Sequence, residues 1–199
     1  MPKFKIAALV SGGGTNLQAI FDAKNANELD VDIEIVISTN SHAYALERAK
    51  VNKIETLILA KKDFASDEDR AKALLAAIVA KKVDLVVLCG CMMVLSAEFV
   101  QACPVPIINI HPSLLPKFGG KGFYGLNVHE AVLDAGETAT GATVHYVDGG
   151  IDTGKIILQR EVAVHANDTP ETLQKRVMQE AEWQILPEAI KIFAEKSGR

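Results

Sequence analysis

The chain has 199 residues, of which 49% are hydrophobic and 23% are charged, a composition typical of one large globular domain or two small ones. Acidic side chains outnumber basic ones by 25 to 21, so the net charge of -4 does not favour nucleic-acid binding. No apolar run approaches the roughly 18 residues of a transmembrane helix, and residues 1–5 lead directly into a predicted strand rather than a signal peptide. We expect a cytoplasmic protein with neither a membrane nor a nucleic-acid partner.

The cysteines and histidines give no sign of a metal site. Cys89, Cys91 and Cys103 lack zinc-type spacing, and two of them lie beside an apolar run, so we expect reduced thiols in the core. No two histidines have the i, i+4 spacing of a helical zinc site. We therefore expect no metal.

The first half of the chain alternates between apolar runs and helix-like segments. Runs rich in β-branched residues predict strands at 4–10, 31–37, 55–59, 84–89 and 107–110, and the intervening segments predict helices at 17–24, 43–50, 67–81 and 96–102. Ser66 and Ser96 are available as N-caps for two of these helices. This alternation predicts right-handed βαβ units and a Rossmann-like parallel sheet.

The second half extends this pattern after a Pro- and Gly-rich stretch at 112–125. We predict a helix at 126–135, strands at 142–147 and 155–164, and a last helix that has Thr169 as N-cap and Pro170 in its first position. That helix should run to about residue 195 and bend at Pro187. The fold class is therefore α/β, a mostly parallel twisted sheet flanked by helices, in a single domain whose C-terminal half extends the sheet.

The segment at 11–16, Ser-Gly-Gly-Gly-Thr-Asn, joins the first predicted strand to the first helix. Glycines let the backbone turn sharply and approach a ligand, and the free N–H groups of a helix start favour an anion. The spacing matches neither a Walker loop nor the dinucleotide fingerprint. We predict a phosphate site here, with a plain strand-to-helix turn as the alternative.

Residues 89–95, Cys-Gly-Cys-Met-Met-Val-Leu, form an apolar lip at the end of the fourth predicted strand. Gly90 would allow a ligand to come close, and methionine side chains adapt to a flat aromatic ring. Taken alone, the segment is more simply explained by ordinary core packing, and a ring-binding surface is the alternative.

The stretch at 107–116, Ile-Ile-Asn-Ile-His-Pro-Ser-Leu-Leu-Pro, is the most informative part of the chain. Asn109 and His111 fall two residues apart on a hydrophobic strand, so they point to the same side, just before Pro112 stops the strand. Burying these polar groups is costly unless they are hydrogen-bonded, and ligands bind beyond the carboxyl ends of such strands. We predict that Asn109 and His111 donate hydrogen bonds to an oxyanion, with a structural pair as the alternative.

Asp148 and Asp152 lie in a turn-rich link, Val-Asp-Gly-Gly-Ile-Asp-Thr-Gly, where turn formation is their simplest role. A carboxylate next to His111 would favour the imidazolium and raise the pKa of that histidine, and Asp152 is the candidate. Among the other histidines, His145 is expected to line the site, whereas positions 42, 129 and 165 are expected at the surface or in packing. No motif supports a covalent nucleophile.

Three strings together carry a resemblance to a known family. They are Ser-Gly-Gly-Gly-Thr-Asn-Leu-Gln-Ala-Ile at 11–20, Asn-Ile-His-Pro-Ser-Leu-Leu-Pro at 109–116, and Gly-Ala-Thr-Val-His-Tyr-Val-Asp at 141–148, which continues into Ile-Asp-Thr-Gly. The chain resembles the formyltransferase superfamily over nearly its whole length, and within it the phosphoribosylglycinamide formyltransferases. The resemblance implies formyl transfer from the co-substrate 10-formyltetrahydrofolate to glycinamide ribonucleotide in purine biosynthesis.

The resemblance also implies roles for individual residues. Asn109, His111 and Asp152 would be catalytic, and Glu182 would help to bind the glycinamide. The phosphate would lie on the loop residues Gly12, Gly13, Gly14, Thr15 and Asn16. The folate would be bordered by Met92, Met93, Val94, Leu95, Asn109 and Asp148. Residues 1–105 would form the phosphate-binding half and residues 106–199 the catalytic and folate-binding half.

The sequence departs from the family pattern at two positions and leaves some alternatives open. Met93 stands where many relatives have an arginine, and Lys155 replaces a frequent proline. Formyltetrahydrofolate deformylase, methionyl-tRNA formyltransferase and a non-catalytic nucleotide-binding module are the rival readings, but none accounts as well for the length, charge and catalytic residues. The expected partners are small-molecule substrates, and the expected oligomeric state is monomer or homodimer.

Overall fold

In the computed structural model, which describes residues 3–198, one seven-stranded sheet forms the centre of the molecule. Five strands pair in parallel: β1 (Phe4–Val10), β2 (Val31–Ser38), β3 (Thr56–Ile58), β4 (Leu85–Leu88) and β5 (Ile107–His111). Two further strands are antiparallel: β6 (Ala139–Tyr146) pairs with β5, and β7 (Ile156–Ala163) pairs with β6. The order is β3-β2-β1-β4-β5-β6-β7, which confirms the predicted mostly parallel sheet and its C-terminal extension.

The helices connect these strands much as the hydrophobic pattern predicts. They are α1 (Thr15–Asn25), α2 (Ala45–Val51), α3 (Asp67–Lys81), α4 (Ala97–Ala102), α5 (Leu126–Asp134), α6 (Pro170–Val177) and α7 (Trp183–Lys196), with a 3-10 turn at Lys61–Asp63. The predicted N-caps are confirmed, since the hydroxyl oxygens of Ser66, Ser96 and Thr169 each accept a hydrogen bond from a backbone N–H three residues later. Each cap satisfies one of the N–H groups that a helix start leaves open.

The C-terminal segment is helical over 170–196, which confirms its predicted extent, but it is not α-helical throughout. A π turn at Met178–Glu182 separates α6 from α7, and Pro187 lies inside α7 rather than at the interruption. A π turn makes a wider loop of backbone and is frequent at functional sites. Here it carries the side chain of Glu182.

The alternation of side chains along β1 explains the layered core. Ile6, Ala8 and Val10 belong to a hydrophobic cluster with α1, α2, α6 and α7, whereas Ala7 and Leu9 belong to a second cluster with α3 and α4. Helices therefore cover both faces of the sheet, as expected when its strands are apolar on both sides. Fully burying one large aliphatic side chain contributes about 1.5–3 kcal/mol to stability.

The sheet continues without a break across the two halves of the chain. Strand β4 pairs with β5 through Val86, Val87 and Leu88, which lie opposite Ile107, Ile108 and Asn109.

Within residues 3–198, no helix combines the length and apolarity needed to cross a bilayer. The division into a phosphate-binding and a catalytic half stays a prediction about function.

Gly14 provides a test of the turn that starts α1. Its φ of 71° is left-handed, and a Cβ there would approach the Cβ of Ala45 to 2.6 Å. We expect Gly14→Ala to lower the free energy of unfolding by about 1–3 kcal/mol, through backbone strain and the clash.

The matched control is Gly12→Ala, because a Cβ at Gly12 would meet no atom within 4 Å. Its effect should stay within about 1 kcal/mol. Equal losses in the two variants, measured by urea unfolding, would contradict this account of the turn.

Candidate active site

A cavity of about 450 Å³ runs past the carboxyl ends of β4 and β5. Its walls combine apolar side chains, such as Leu88 and Val147, with a few polar groups, which is the usual make-up of a small-molecule site. The predicted site residues that line it are Asn16, Met92, Met93, Val94, Leu95, Asn109, His111, Asp152 and Glu182. The structure thus brings together residues that are up to 166 positions apart, the separation of Asn16 and Glu182.

Asn109 and His111 occupy the same face of β5, as their spacing predicts. The intervening Ile110 belongs to a hydrophobic core cluster together with Ile108, and it also contributes to the cavity lining. In the register of the sheet, Asn109 lies opposite His145 of β6. His145 also lines the cavity, which confirms its predicted position.

The carboxylate of Asp152 lies among the polar groups of β5 and β6. Its Oδ2 accepts a hydrogen bond from the backbone N–H of Gly120 at 3.0 Å and lies 3.4 Å from His111 Nδ1. Its Oδ1 lies 3.5 Å from both Asn109 Nδ2 and His145 Nε2. Asp152 has a φ of 58°, a left-handed conformation that aspartate tolerates better than most residues. The predicted proximity of His111 and Asp152 is therefore confirmed.

Three favourable contacts keep Asp152 ionised. Burial acts to raise the pKa of this carboxyl, but the contact with His145, the charge of His111 and the N–H of Gly120 together outweigh it, so the pKa lies below its ordinary value. His145 Nδ1 donates to the Tyr146 carbonyl oxygen at 2.8 Å, so its Nε2 either accepts from Asn109 in the neutral ring or donates to Asp152 in the charged ring.

The predicted direction of the His111 shift is wrong. Burial lowers the pKa of His111 below its ordinary value, although Asp152 and the Phe118 carbonyl both act to raise it. The ring is only 4% exposed, and the loss of water around a charged imidazolium exceeds the attraction of one carboxylate at 3.4 Å. The sequence correctly identified Asp152 as the partner of His111, but it could not show how deeply His111 is buried.

A second polar pair, Asn16 and Glu182, lies at another part of the cavity wall. Asn16 in the first turn of α1 donates through Nδ2 to Glu182 Oε2 at 2.7 Å. Burial raises the pKa of Glu182 to about 7, against the opposing effect of this hydrogen bond. Gln174 and Met178, eight and four residues before Glu182, also line the cavity, so the π turn continues a stripe of cavity-lining residues from α6.

The remaining glycine-loop residues lie beside the cavity rather than in its lining. The carbonyl oxygens of Gly12 and Gly13 accept from the Ala45 N–H at 3.1 Å and from Arg48 Nε at 2.9 Å, which holds the loop against α2. The hydroxyl of Thr15 lies 3.8 Å from the sulfur of Met178. The N–H groups in the first turn of α1, which a helix start leaves without intrahelical partners, therefore lie at the same end of the helix as Asn16.

Residues 92–95 of the apolar lip lie at the mouth of the cavity, where Met92 and Val94 are strongly exposed and Leu95 is buried. Asp148 is not among the lining residues. Its carboxylate instead accepts hydrogen bonds from the Gly150 N–H at 2.9 Å and the Thr153 hydroxyl at 2.6 Å. Asp148 therefore closes the turn that presents Asp152.

Sequence reasoning missed three parts of the site. The Phe118 carbonyl accepts from His111 Nε2 at 2.8 Å, and the Gly120 N–H contacts Asp152; both are backbone groups, which no side-chain pattern reveals. His129 on α5 is fully buried and lines the cavity, and neither ring nitrogen has a hydrogen-bond partner. The prediction left His129 either at the surface or in packing; the residue is buried and lines the cavity, which the prediction missed.

The cysteines of the protein form no disulfide bond among the described residues. All three cysteines are free; Cys89 is buried, whereas Cys91 and Cys103 are partly exposed and Cys91 lines the cavity. Burial raises the pKa of the Cys91 thiol, which makes it a weak nucleophile. In the described part of the chain, no cluster of three or more His, Cys, Asp or Glu side chains is arranged to hold a metal ion.

The sequence over residues 4–190 matches the family model described as Formyl transferase. The chain therefore belongs to the formyl transferase family, which confirms the resemblance. Phosphoribosylglycinamide formyltransferase of Haemophilus influenzae is 40% identical over 191 residues, 96% of this chain and 87% of that protein. The chloroplastic phosphoribosylglycinamide formyltransferase of Arabidopsis thaliana is 40% identical over 177 residues, and the aligned part covers 88% of this chain but 61% of the plant protein.

The fold is also that of solved family structures. Glycinamide ribonucleotide transformylase 1 from Symbiobacterium toebii superposes with a TM-score of 0.90 at 40% identity, covering 98% of this chain and 89% of that one. The same arrangement of strands and helices therefore extends over nearly all of the chain.

His129 provides a test of the cavity's polarity. Burial lowers the pKa of His129 to about 4, so the folded state takes up this proton only well below the pH at which the unfolded chain does. Stability is therefore fully present above about pH 6.5 and is lost as the pH falls towards 4, by roughly 3 kcal/mol at about 1.4 kcal/mol per pKa unit. We expect His129→Leu to reduce this loss.

The measurement is urea unfolding of the wild type and the variant at intervals from pH 7 to pH 4. His42→Leu, which removes an exposed imidazole, is the matched control. Parallel stability curves for the wild type and His129→Leu would show that His129 does not carry the effect.

Proposed function

We propose that the protein transfers the formyl group of 10-formyltetrahydrofolate to the amine of 5-phosphoribosylglycinamide in purine biosynthesis. Relatives named for this activity support the proposal at about 40% identity over most of the chain. The single observation that carries it is the meeting of Asn109, His111 and Asp152 in one cavity, because a non-catalytic nucleotide-binding module would need none of them.

The substrate phosphate lies on the glycine loop in this proposal. The loop and the first turn of α1 present backbone N–H groups and the positive end of the helix dipole to an anion. Asn16 connects this loop to Glu182, the proposed ligand of the glycinamide part, through one short hydrogen bond. Phosphate and glycinamide would thus be recognised by two groups that hold each other in position.

The folate ring lies against residues 92–95 of the apolar lip. Met92, Met93 and Val94 supply polarisable and apolar surface at the cavity mouth, and Ile151 and Tyr124 contribute further exposed apolar side chains. Met93 provides no charge where many relatives have an arginine. The role proposed for Asp148 is indirect, because Asp148 supports the turn that borders the folate.

The reaction is a direct attack of the neutral amine on the formyl carbon. It produces a tetrahedral species with a negatively charged oxygen, which Asn109 Nδ2 and the ring of His111 stabilise by hydrogen bonds. For His111 Nε2 to donate, substrate must displace the Phe118 carbonyl that now accepts its hydrogen bond. A neutral ring can donate, and the developing negative charge favours its protonation beside Asp152.

Asp152 positions His111 and lies where a water could relay the proton from the attacking nitrogen to N10 of the folate. No covalent enzyme intermediate is required. A cytoplasmic location and a monomeric or homodimeric state stay predictions from the sequence.

The direct test of the function is an assay of tetrahydrofolate release from 10-formyltetrahydrofolate. We expect release only when glycinamide ribonucleotide is present, because the amine is the attacking group. Release at the same rate without the acceptor would instead support a deformylase, and no release under either condition would support the binding module.

The test of the site uses Asn109→Ala and His111→Ala in the same assay. Each removes one donor to the oxyanion, so turnover should fall by about two to three orders of magnitude, equivalent to about 3–4 kcal/mol. Unchanged circular dichroism would establish that the variants are folded. Near-normal turnover in folded His111→Ala would rule out the proposed role of the ring.

A further inference from the structure

Glu182 is a buried carboxylate that the oxyanion scheme leaves without a chemical task. It is 6% exposed, and its one hydrogen bond comes from the neutral amide of Asn16. Among residues 3–198, no lysine, arginine or histidine forms an ion pair with it. A buried carboxylate without a cation is costly, so the site is suited to a ligand that brings a proton or a positive charge.

The second oxygen of this carboxylate is available to such a ligand. Asn16 donates its hydrogen bond to Oε2. The other oxygen, Oε1, accepts no hydrogen bond from the described residues and is not fully buried. Glu182 lines the same cavity as Asn109 and His111, so a ligand in that cavity lies next to this residue.

We infer that Glu182 is a catalytic base that takes the proton from the ammonium form of the substrate before the amine attacks. The inference rests on the proposed function, since it concerns the same substrate. The step breaks one N–H bond and forms one O–H bond: the ammonium and the carboxylate become an amine and a carboxylic acid. The nitrogen lone pair that attacks the formyl carbon is thereby released inside the cavity.

The pKa of the substrate amine and the pKa of the Glu182 carboxyl group are well matched. An α-amino group has an ordinary pKa of about 7.7–8.0. Burial brings the pKa of Glu182 to about 7, whereas an exposed glutamate would be far too weak a base. A buried neutral pair also avoids the cost of holding two charges away from water.

The titration of Glu182 can be distinguished from that of the other groups around the cavity. The π turn packs against α6, α7, β6 and β7, and no charged side chain on these elements contributes to the Glu182 shift, which has only burial and Asn16 as causes. The other charged or titratable groups facing the cavity include His111, His129, His145, Asp152 and Lys121. Glu182→Gln leaves all of these unchanged and keeps an oxygen for the Asn16 hydrogen bond.

The experiment compares kcat/KM of the wild type and Glu182→Gln from pH 6 to pH 9. The wild type should pass through a maximum between the pKa of Glu182 and that of the amine, whereas the variant should rise until the amine is neutral in solution and then level off. The ratio of wild type to variant should therefore fall by more than about tenfold between pH 6 and pH 9. Glu180→Gln, which alters an exposed glutamate of the same π turn, should keep the wild-type profile.

A ratio that is constant across this range, with transfer to the acceptor intact, would overturn the inference while leaving the proposed function in place. Failure of the wild type to transfer at any pH would instead overturn the function. A second measurement needs no variant: difference infrared spectra at pH 8 should show a protonated carboxylic acid band when glycinamide ribonucleotide binds. Absence of this band would also overturn the inference.

Discussion

The carboxylate of Asp152 is the group on which the geometry of the site depends. It lies within 3.5 Å of polar atoms from β5, from β6 and from the loop after β5, so it joins three separate segments of the chain. Its own position is fixed by a turn in which Asp148 accepts hydrogen bonds from Gly150 and Thr153. A charge held by several hydrogen bonds is preorganised, and preorganised charge acts without reorganisation during the reaction.

Burial and charge compete at each titratable group, and the outcome differs from one to the next. At Asp152 the nearby donors outweigh burial and the pKa falls, whereas at His111 burial outweighs the carboxylate and the pKa also falls. At Glu182 one neutral amide cannot compensate for burial, and the pKa rises. Burial therefore opposes the ionisation of both acids, but the donors around Asp152 keep it ionised, whereas Glu182, which has one neutral partner, becomes a usable base.

The sequence predicted most of the fold because its signals are local. Hydrophobic runs identified all seven strands, and the side chains of Ser66, Ser96 and Thr169 identified helix starts that the structure confirms. Asn109 and His111 could be found because polar residues interrupt an apolar strand at a spacing of two. The π turn, the Phe118 carbonyl and the Gly120 N–H could not be found, since tertiary packing and backbone geometry create them.

The antiparallel addition of β6 explains why Asp152 needs a glycine-rich loop. His111 at the carboxyl end of β5 pairs with Thr143, and Tyr146 pairs with Ile108, so β6 ends beside the opposite end of β5. The loop must then fold back over the face of β5 to bring Asp152 to His111. On this path a Cβ at Gly149 would approach the Cβ of Ala97 to 2.9 Å, so a side chain would push the loop away from α4. The glycines of this segment therefore serve the position of the carboxylate as well as the turn itself.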